Sequence, residues 1–222
     1  MFQRDYFMRM INQMTEALGQ VMGLRKQMKQ EEALLVLDEL LDKHFRLSSK
    51  LIRSLSDEDL MKMMTTNGIV DTNQLQAIAI LMKQEALLHG ELGRETEFYA
   101  MCVRSLRLFI RLSLMKAEPT IVEPDGEIEE LLELTRSYEL PVPAKRLLMA
   151  WYESKGRYDQ LENVMFELVE ARALPAADAA LVYDRLLALD DEELAAGGLP
   201  RDEIRQGLEE LGLSGEDNRT KE

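Results

Sequence analysis

The 222-residue sequence is poor in the residue types that most catalytic and metal sites require. It contains one cysteine, Cys102, and two histidines, His44 and His89. A single cysteine excludes an internal disulfide and a cysteine-rich zinc site. Neither histidine has an acid or a cysteine at a spacing that convincingly indicates a ligand set, and Cys102 falls at an apolar helical position, where a buried, unreactive thiol is expected. We therefore predict no metal and no cofactor.

The sequence motifs of common enzymes are lacking as well. There is no Gly-x-Ser-x-Gly element, Walker loop, dinucleotide-binding glycine motif or His-Glu-x-x-His pair. The acidic run Asp190–Glu193 does not have the ligand spacing of a calcium loop, and we interpret it as a capped helix start. The sequence therefore predicts a protein that is not an enzyme.

Long apolar runs and strand patterns are also missing. No run approaches the roughly 18–20 residues of a membrane span, and residues 1–6 do not have the basic-then-apolar order of a signal peptide. We expect a cytoplasmic protein with no membrane-spanning segment. Alternating β-branched runs are absent, and Asn67-Gly68 is interpreted as the end of a short helix. The sequence therefore predicts an all-α fold.

Negative charge is abundant, and it is unevenly distributed. Residues 1–116 contain 16 Lys and Arg against 15 Asp and Glu, whereas residues 117–222 contain 11 against 26. An excess of acids of this size repels the phosphate backbone of a nucleic acid, so we do not expect a nucleic acid as the partner. The acidic surface either keeps the protein in solution or steers a basic partner towards it.

Helical periodicity runs through the whole chain, and the charge shift suggests where the chain divides. Residues 117–126 contain two prolines and one glycine, which is typical of a linker. We predict a near-neutral helical hairpin domain over 1–116 and an acidic helical-repeat half over 127–213 packed on it. Residues 214–222 are polar and without period, so we expect a disordered tail.

Three helix–turn–helix segments share one pattern. Their turn residues are Met28, Gly93 and Gly156, and anchor residues follow at offsets of five, nine and twelve. The anchors are Ala33, Leu37 and Leu40, then Phe98, Cys102 and Ser105, then Leu161, Met165 and Leu168. The pattern resembles the turn and second helix of the tetratricopeptide repeat. Because the copies lie 65 and 63 residues apart and not 34, we predict an irregular stack of antiparallel helical hairpins.

The N-terminal half, to about Met115, is similar to an uncharacterised family of small helical proteins of Gram-positive bacteria, known as a domain of unknown function. The resemblance rests on Phe2–Tyr6 with Met10-Ile11, on Gly23–Lys26 before Glu31–Leu34, and on Leu55–Leu60. It implies no activity.

Two helical stripes are candidate binding surfaces. Arg104, Arg107 and Arg111 step by three and four along one helix. They form either a carboxylate or phosphate clamp in a groove or a salt-bridged face that meets the acidic C-terminal half. The second stripe is apolar and lies on the first helix, where it is a candidate interface. It consists of Phe7, Ile11, Met14, Leu18 and Val21.

These observations favour a non-enzymatic helical-repeat module that binds a protein or a peptide. This expectation is partly an analogy, because repeat folds of this kind usually bind and rarely catalyse. Two alternatives stay open. One is a structural homodimer formed through the apolar stripe of the first helix, and the other is an enzyme with an unrecognised carboxylate site.

Overall fold

The computed structural model describes residues 2–45 and 47–216, which form twelve helices and one two-stranded hairpin. The helices are α1 (Phe2–Lys26), α2 (Gln30–His44), α3 (Ser49–Ser54), α4 (Asp57–Met63), α5 (Thr72–Glu91), α6 (Glu95–Leu114), α7 (Pro124–Thr135), α8 (Val142–Ser154), α9 (Tyr158–Glu170), α10 (Ala176–Leu187), α11 (Asp191–Ala196) and α12 (Arg201–Glu216). The predicted all-α class is confirmed. Within those residues, none of the helices has both the length and the apolar character that a membrane-spanning segment requires.

The hairpin consists of β1 (Thr65–Thr66) and β2 (Ile69–Val70), which pair antiparallel. Asn67 and Gly68 connect them with φ angles of 53° and 77°. Positive φ at both central residues is the requirement of a type I′ turn, which Asn-Gly meets best. The interpretation of this pair as a helix end was wrong, since α4 already ends at Met63.

The chain divides into two compact units, Met1–Glu139 and Leu140–Glu222. The expected linker at 117–126 lies inside the first unit, where the backbone N–H groups of Thr120 and Ile121 donate to the Gln76 side chain at 3.1 and 2.8 Å. α7 was predicted to belong to the acidic half, but it packs on α6 in the first unit. The charge shift therefore does not coincide with the boundary between the units.

In the first unit, α5 is enclosed on all sides. The four consecutive residues 77–80 are all buried, which is the pattern of a helix surrounded by other helices. A buried cation holds α7 against it: Lys83 is only 5% exposed, and its Nζ lies 2.6 Å from a carboxylate oxygen of both Glu127 and Glu130. α5 and its neighbour α6 thus form the centre of this unit.

The three predicted turns have the same backbone geometry. Met28, Gly93 and Gly156 have φ angles of 59°, 69° and 65°. In each turn the next N–H donates to the carbonyl five residues earlier, at 2.9, 2.9 and 3.0 Å; the donors are Lys29, Arg94 and Arg157. This is the hydrogen bond of a Schellman helix end. All the anchor residues except the half-buried Phe98 are buried.

The second unit consists of the α8–α9 hairpin with α10, α11 and α12. The Gly197 carbonyl accepts the N–H groups of Tyr158 and Asp159 at 2.9 and 3.1 Å, which caps the start of α9. A side chain at 197 would overlap the Tyr158 ring. The acidic run that follows α10 is a capped helix start, as predicted, because the Asp190 side chain accepts from Glu193 N at 2.8 Å.

The prediction of a disordered tail over 214–222 was wrong for its first three residues, because α12 continues to Glu216. The other six, 217–222, lie outside the described part of the chain. The helix extends further because Leu211 is buried at 5% exposure, so apolar packing continues to within one turn of residue 214.

Replacing Met28 by glycine is expected to stabilise the protein. A side chain at positive φ costs about 1 kcal/mol, and Met28 is 78% exposed, so little packing is lost. For a chain of this size the gain corresponds to about 2–4 °C in Tm, measurable by circular dichroism. Met28→Ala keeps the Cβ and should show no such gain; an equal gain in both variants would contradict the backbone explanation.

Candidate functional site

Arg104 binds the end of a neighbouring helix. Its guanidinium group donates to the carbonyl oxygens of Ile52 and Leu55 at 2.9 and 2.8 Å, and also to that of Arg53. The last four carbonyl groups of a helix have no hydrogen-bond donor within the helix. Because α3 has only six residues, most of its carbonyl groups need a donor from outside it. Arg104 therefore fixes the C-terminus of α3 on α6.

Arg107 and Arg111 bind the first turn of α4. Arg107 Nε lies 2.7 Å from Asp57 Oδ2, and Arg111 contacts both Asp57 Oδ2 at 3.8 Å and Glu58 Oε1 at 2.5 Å. The Ser56 hydroxyl accepts from Asp59 N at 3.1 Å, so the predicted capping serine sets this turn and presents both acids to α6. One of the two predicted roles was a salt-bridged face that meets the acidic C-terminal half; the acids that the stripe binds come instead from the near-neutral half.

These contacts favour the structural interpretation of the stripe over the anion clamp. Asp57 is only 2% exposed, and a buried carboxylate is stable only with a cation beside it. A further arginine behaves in the same way, since Arg53 binds Asp38 at 2.5 Å and the buried Glu85 at 2.8 Å. The arginines of this region hold helices together within the first unit.

Much of the apolar stripe of α1 packs inside its own unit. Met14 and Val21 are fully buried in the pairing of α1 with α2, while Ile11 and Leu18 are half-buried. The side chain of Phe7 lies outside the described residues. Fully buried positions cannot contribute to a second interface without unfolding the hairpin, so the stripe as a whole does not present one continuous surface.

The second unit contains an open groove of about 310 Å³. It is lined by Glu162 and Phe166 of α9 and by Glu203, Gln206, Gly207 and Glu210 of α12. The spacings of three and four residues place each set on one face of its helix. The two helices therefore contribute opposite walls, three glutamates and one aromatic ring.

Tyr183 of α10 orients one of these glutamates. Tyr183 is fully buried, and its hydroxyl donates to Glu162 Oε1. A side chain at 207 would overlap that hydroxyl, so the close approach of α12 to Tyr183 requires glycine. Burial and the hydrogen bond to Glu162 raise the pKa of Tyr183, and the phenol stays neutral as a donor.

The groove concentrates negative charge. Burial raises the pKa of the Glu162 carboxyl, and the charges of Glu203 and Glu210 raise it further, although the Tyr183 hydrogen bond opposes the shift. Negative charges that raise the pKa of a neighbouring carboxyl mark a place where a cation would be stabilised. This groove was not predicted from the sequence. Its only local signal was the spacing of acids on α12, which is also typical of a solvated helix face.

Comparison with known protein families shows that the model of the "Family of unknown function (DUF6483)" matches residues 1–214. The chain belongs to this family. No curated protein and no solved structure matches it. Membership in a family of unknown function was predicted and is confirmed; the match extends well beyond Met115 and includes every residue that lines the groove.

The cysteine and the histidines of this DUF6483 member lie among packed helices. Cys102 is buried, as predicted, and burial raises the pKa of its thiol to about 11. His44 is also buried, and desolvation lowers its pKa, with a smaller effect from Lys43. Over residues 2–45 and 47–216, no three His, Cys, Asp or Glu side chains are grouped closely enough to hold a metal ion.

The substitution Asp57→Asn is expected to lower the stability by about 3 kcal/mol, because it leaves buried arginine donors without their counter-charge. Glu58→Gln is the matched control: its partner is also Arg111, but its side chain is 57% exposed, and it should cost less than about 1 kcal/mol. Urea unfolding measures both. Equal, small losses would show that the stripe does not depend on α4 and would reopen the anion clamp.

Neutralising Glu162 is expected to change how stability depends on pH. Its pKa is higher in the folded chain than in the unfolded chain, so the ionised carboxyl penalises folding once the pH rises through the folded value. Glu162→Gln keeps an acceptor for Tyr183 and should therefore raise Tm at neutral pH. The gain over wild type should vanish towards about pH 4. A gain that is constant across this range would contradict the assignment to Glu162 ionisation.

Proposed function

We propose that this protein is a non-enzymatic helical module that binds a basic segment of a partner protein or peptide, and that the groove between α9 and α12 is the binding site. The observation that carries the proposal is the grouping of Glu162, Glu203 and Glu210 around one open groove. Three carboxylates at one site lower their mutual repulsion when a lysine or arginine side chain enters.

The shape and lining of the groove suit such a side chain. Its volume of about 310 Å³ is at the lower end of the range for ligand sites. Phe166 supplies an aromatic surface beside the acids. The methylene stem of a lysine or arginine packs on such a ring, and its cation is attracted to the ring face.

The charge of the C-terminal part of the chain supports the same partner class. Residues 117–222 carry 26 Asp and Glu against 11 Lys and Arg. A field of one sign raises the rate at which an oppositely charged partner arrives, and salt weakens it. The module would thus attract basic segments before the groove selects among them.

We further propose that the three hairpins are tetratricopeptide-repeat-like, and their turns support this. The turns share one Schellman geometry, and every anchor except the half-buried Phe98 is buried. Arrays of such hairpins usually bind peptides. The step from architecture to binding is an analogy. The proposed Gram-positive bacterial origin rests on the sequence resemblance alone, and the cytoplasmic location stays a prediction.

A labelled lysine- and arginine-rich peptide tests this function by fluorescence anisotropy. The double variant Glu203→Gln/Glu210→Gln should weaken binding about three- to tenfold at low salt. The matched control is Glu170→Gln/Glu209→Gln, which removes two exposed charges from the same helices outside the groove, and it should change Kd by less than about twofold. Equal losses in both variants would attribute binding to total charge and overturn the groove; absence of binding would overturn the function.

A further inference from the structure

The turn of the β1–β2 hairpin places a side-chain amide next to an unhindered main-chain nitrogen. Asn67 and Gly68 are both exposed, and their φ angles of 53° and 77° form the tip of the hairpin. Among the described residues, no backbone carbonyl accepts a hydrogen bond from the Gly68 N–H. Glycine also has no Cβ beside that nitrogen. The Gly68 nitrogen is therefore free to react with the neighbouring Asn67 carboxamide.

We propose that Asn67 is a site of spontaneous covalent modification, at which its amide is converted to aspartate and isoaspartate through a cyclic imide with Gly68. The Gly68 nitrogen attacks Asn67 Cγ, so that a bond between these two atoms forms. The bond from Cγ to Nδ2 breaks, and ammonia leaves with the proton that the Gly68 nitrogen has lost.

Water then opens the imide ring at one of its two carbonyl carbons. Addition at Cγ breaks the new bond to the Gly68 nitrogen and leaves aspartate. Addition at the main-chain carbonyl carbon breaks the original peptide bond instead and leaves isoaspartate, in which the chain continues through the side-chain carboxyl group. Both products carry one negative charge that Asn67 does not have, and water is the only other reactant.

The hairpin opens at small cost, which the reaction requires. A type I′ turn holds the main chain of Asn67 in one conformation, whereas attack needs rotation about its Cα–C bond to bring the Gly68 nitrogen onto Cγ. Each strand has two residues, and so short a pairing adds little stability. Ile69 is 75% exposed, so opening the tip also loses little apolar packing.

The other pair of this kind in the sequence, Asp125-Gly126, is held by its helix. It lies in the first turn of α7, and the Ser113 hydroxyl donates to Asp125 Oδ1 at 2.6 Å. The main-chain angles of a helix keep the Gly126 nitrogen away from the Asp125 carboxyl carbon. The fold therefore permits ring closure at residue 67 and opposes it at residue 125.

The contacts at the base of the hairpin confine the effect of the modification. The Asp71 N–H donates to the Met64 carbonyl at 2.8 Å, and the Asp71 side chain accepts from Gln74 N at 3.0 Å, which caps α5. Isoaspartate adds one carbon atom to the main chain, so residue 67 no longer fits the type I′ turn. The tip is expected to lose its strand pairing while α5 keeps its cap.

Incubation of the full chain in mildly alkaline buffer, followed by digestion and mass spectrometry, tests the modification. The peptide that contains residue 67 should gain the mass difference between an amide and an acid, and chromatography should resolve isoaspartate from aspartate. The rate should rise with hydroxide concentration, because the attacking nitrogen loses its proton. The peptide that contains Asp125 should hold no isoaspartate. An intact Asn67 amide, or equally fast conversion at Asn73 in α5, would overturn the site; isoaspartate at 125 would overturn the role of the fold.

Two variants test the attacking atom. In Gly68→Ala no other group lies within 4 Å of the added Cβ, but this Cβ hinders the nitrogen, and conversion of Asn67 should slow severalfold. Unchanged conversion would overturn attack by the Gly68 nitrogen. Because alanine is strained at this φ, Asn67→Gln provides a second test with the glycine in place. Ring closure from glutamine needs a larger ring, so residue 67 should keep its amide; conversion as fast as in wild type would overturn the imide route.

Nuclear magnetic resonance of the modified chain tests the confinement. The amide signals of Thr66 and Ile69, which are paired in the hairpin, should shift. The Gln74 N–H, which the Asp71 side chain holds, should exchange with solvent at an unchanged rate. Faster exchange at Gln74 would show that the modification spreads into α5 and would overturn the confinement.

Discussion

Charged side chains hold the first unit together at the points where its regular hairpin pattern is interrupted. α3 and α4 follow the first hairpin, and α7 follows the second. Arg104 donates to backbone carbonyls of α3, whereas ion pairs fasten the other two: Arg107 with Asp57 of α4, and Lys83 with Glu127 and Glu130 of α7. A buried charge without its partner is costly, so such pairs fix one arrangement more strictly than apolar contacts do, although they add little net stability.

The turns could be predicted from the sequence because their cause is local. A Schellman end needs one residue at positive φ and apolar residues at helical offsets after it. Gly93 and Gly156 indicate the first, and the spacing of the residues after them indicates the second. Met28 was identified by those offsets alone, and its φ of 59° fits them. The Asn67-Gly68 hairpin also has a local cause, but it was not predicted. Its strands of two residues are too short to show the alternation by which strands are recognised.

The partners of the charged residues could not be predicted, because any acid within reach satisfies an arginine. The sequence contains 41 Asp and Glu, and the distribution of charge pointed to the C-terminal half. The arginines of α6 instead bind Asp57 and Glu58, because the capping geometry at Ser56 fixes these two acids next to α6. The groove was hidden for a related reason. Its walls are separated by about forty residues of chain, and it depends on Gly207 lying against Tyr183, a contact that only tertiary packing creates.

The two units therefore use charge differently. In the first, Arg104, Arg107 and Arg111 are engaged by helix ends and acids of the same unit, so the stripe that looked most like a binding site contributes to folding. In the second, the neutral phenol of Tyr183 donates to Glu162, beside two further carboxylates. A phenol orients a carboxylate without neutralising it. Keeping an acid ionised and partly desolvated lowers the free energy of unfolding slightly. A cation that enters the groove from elsewhere would offset this loss.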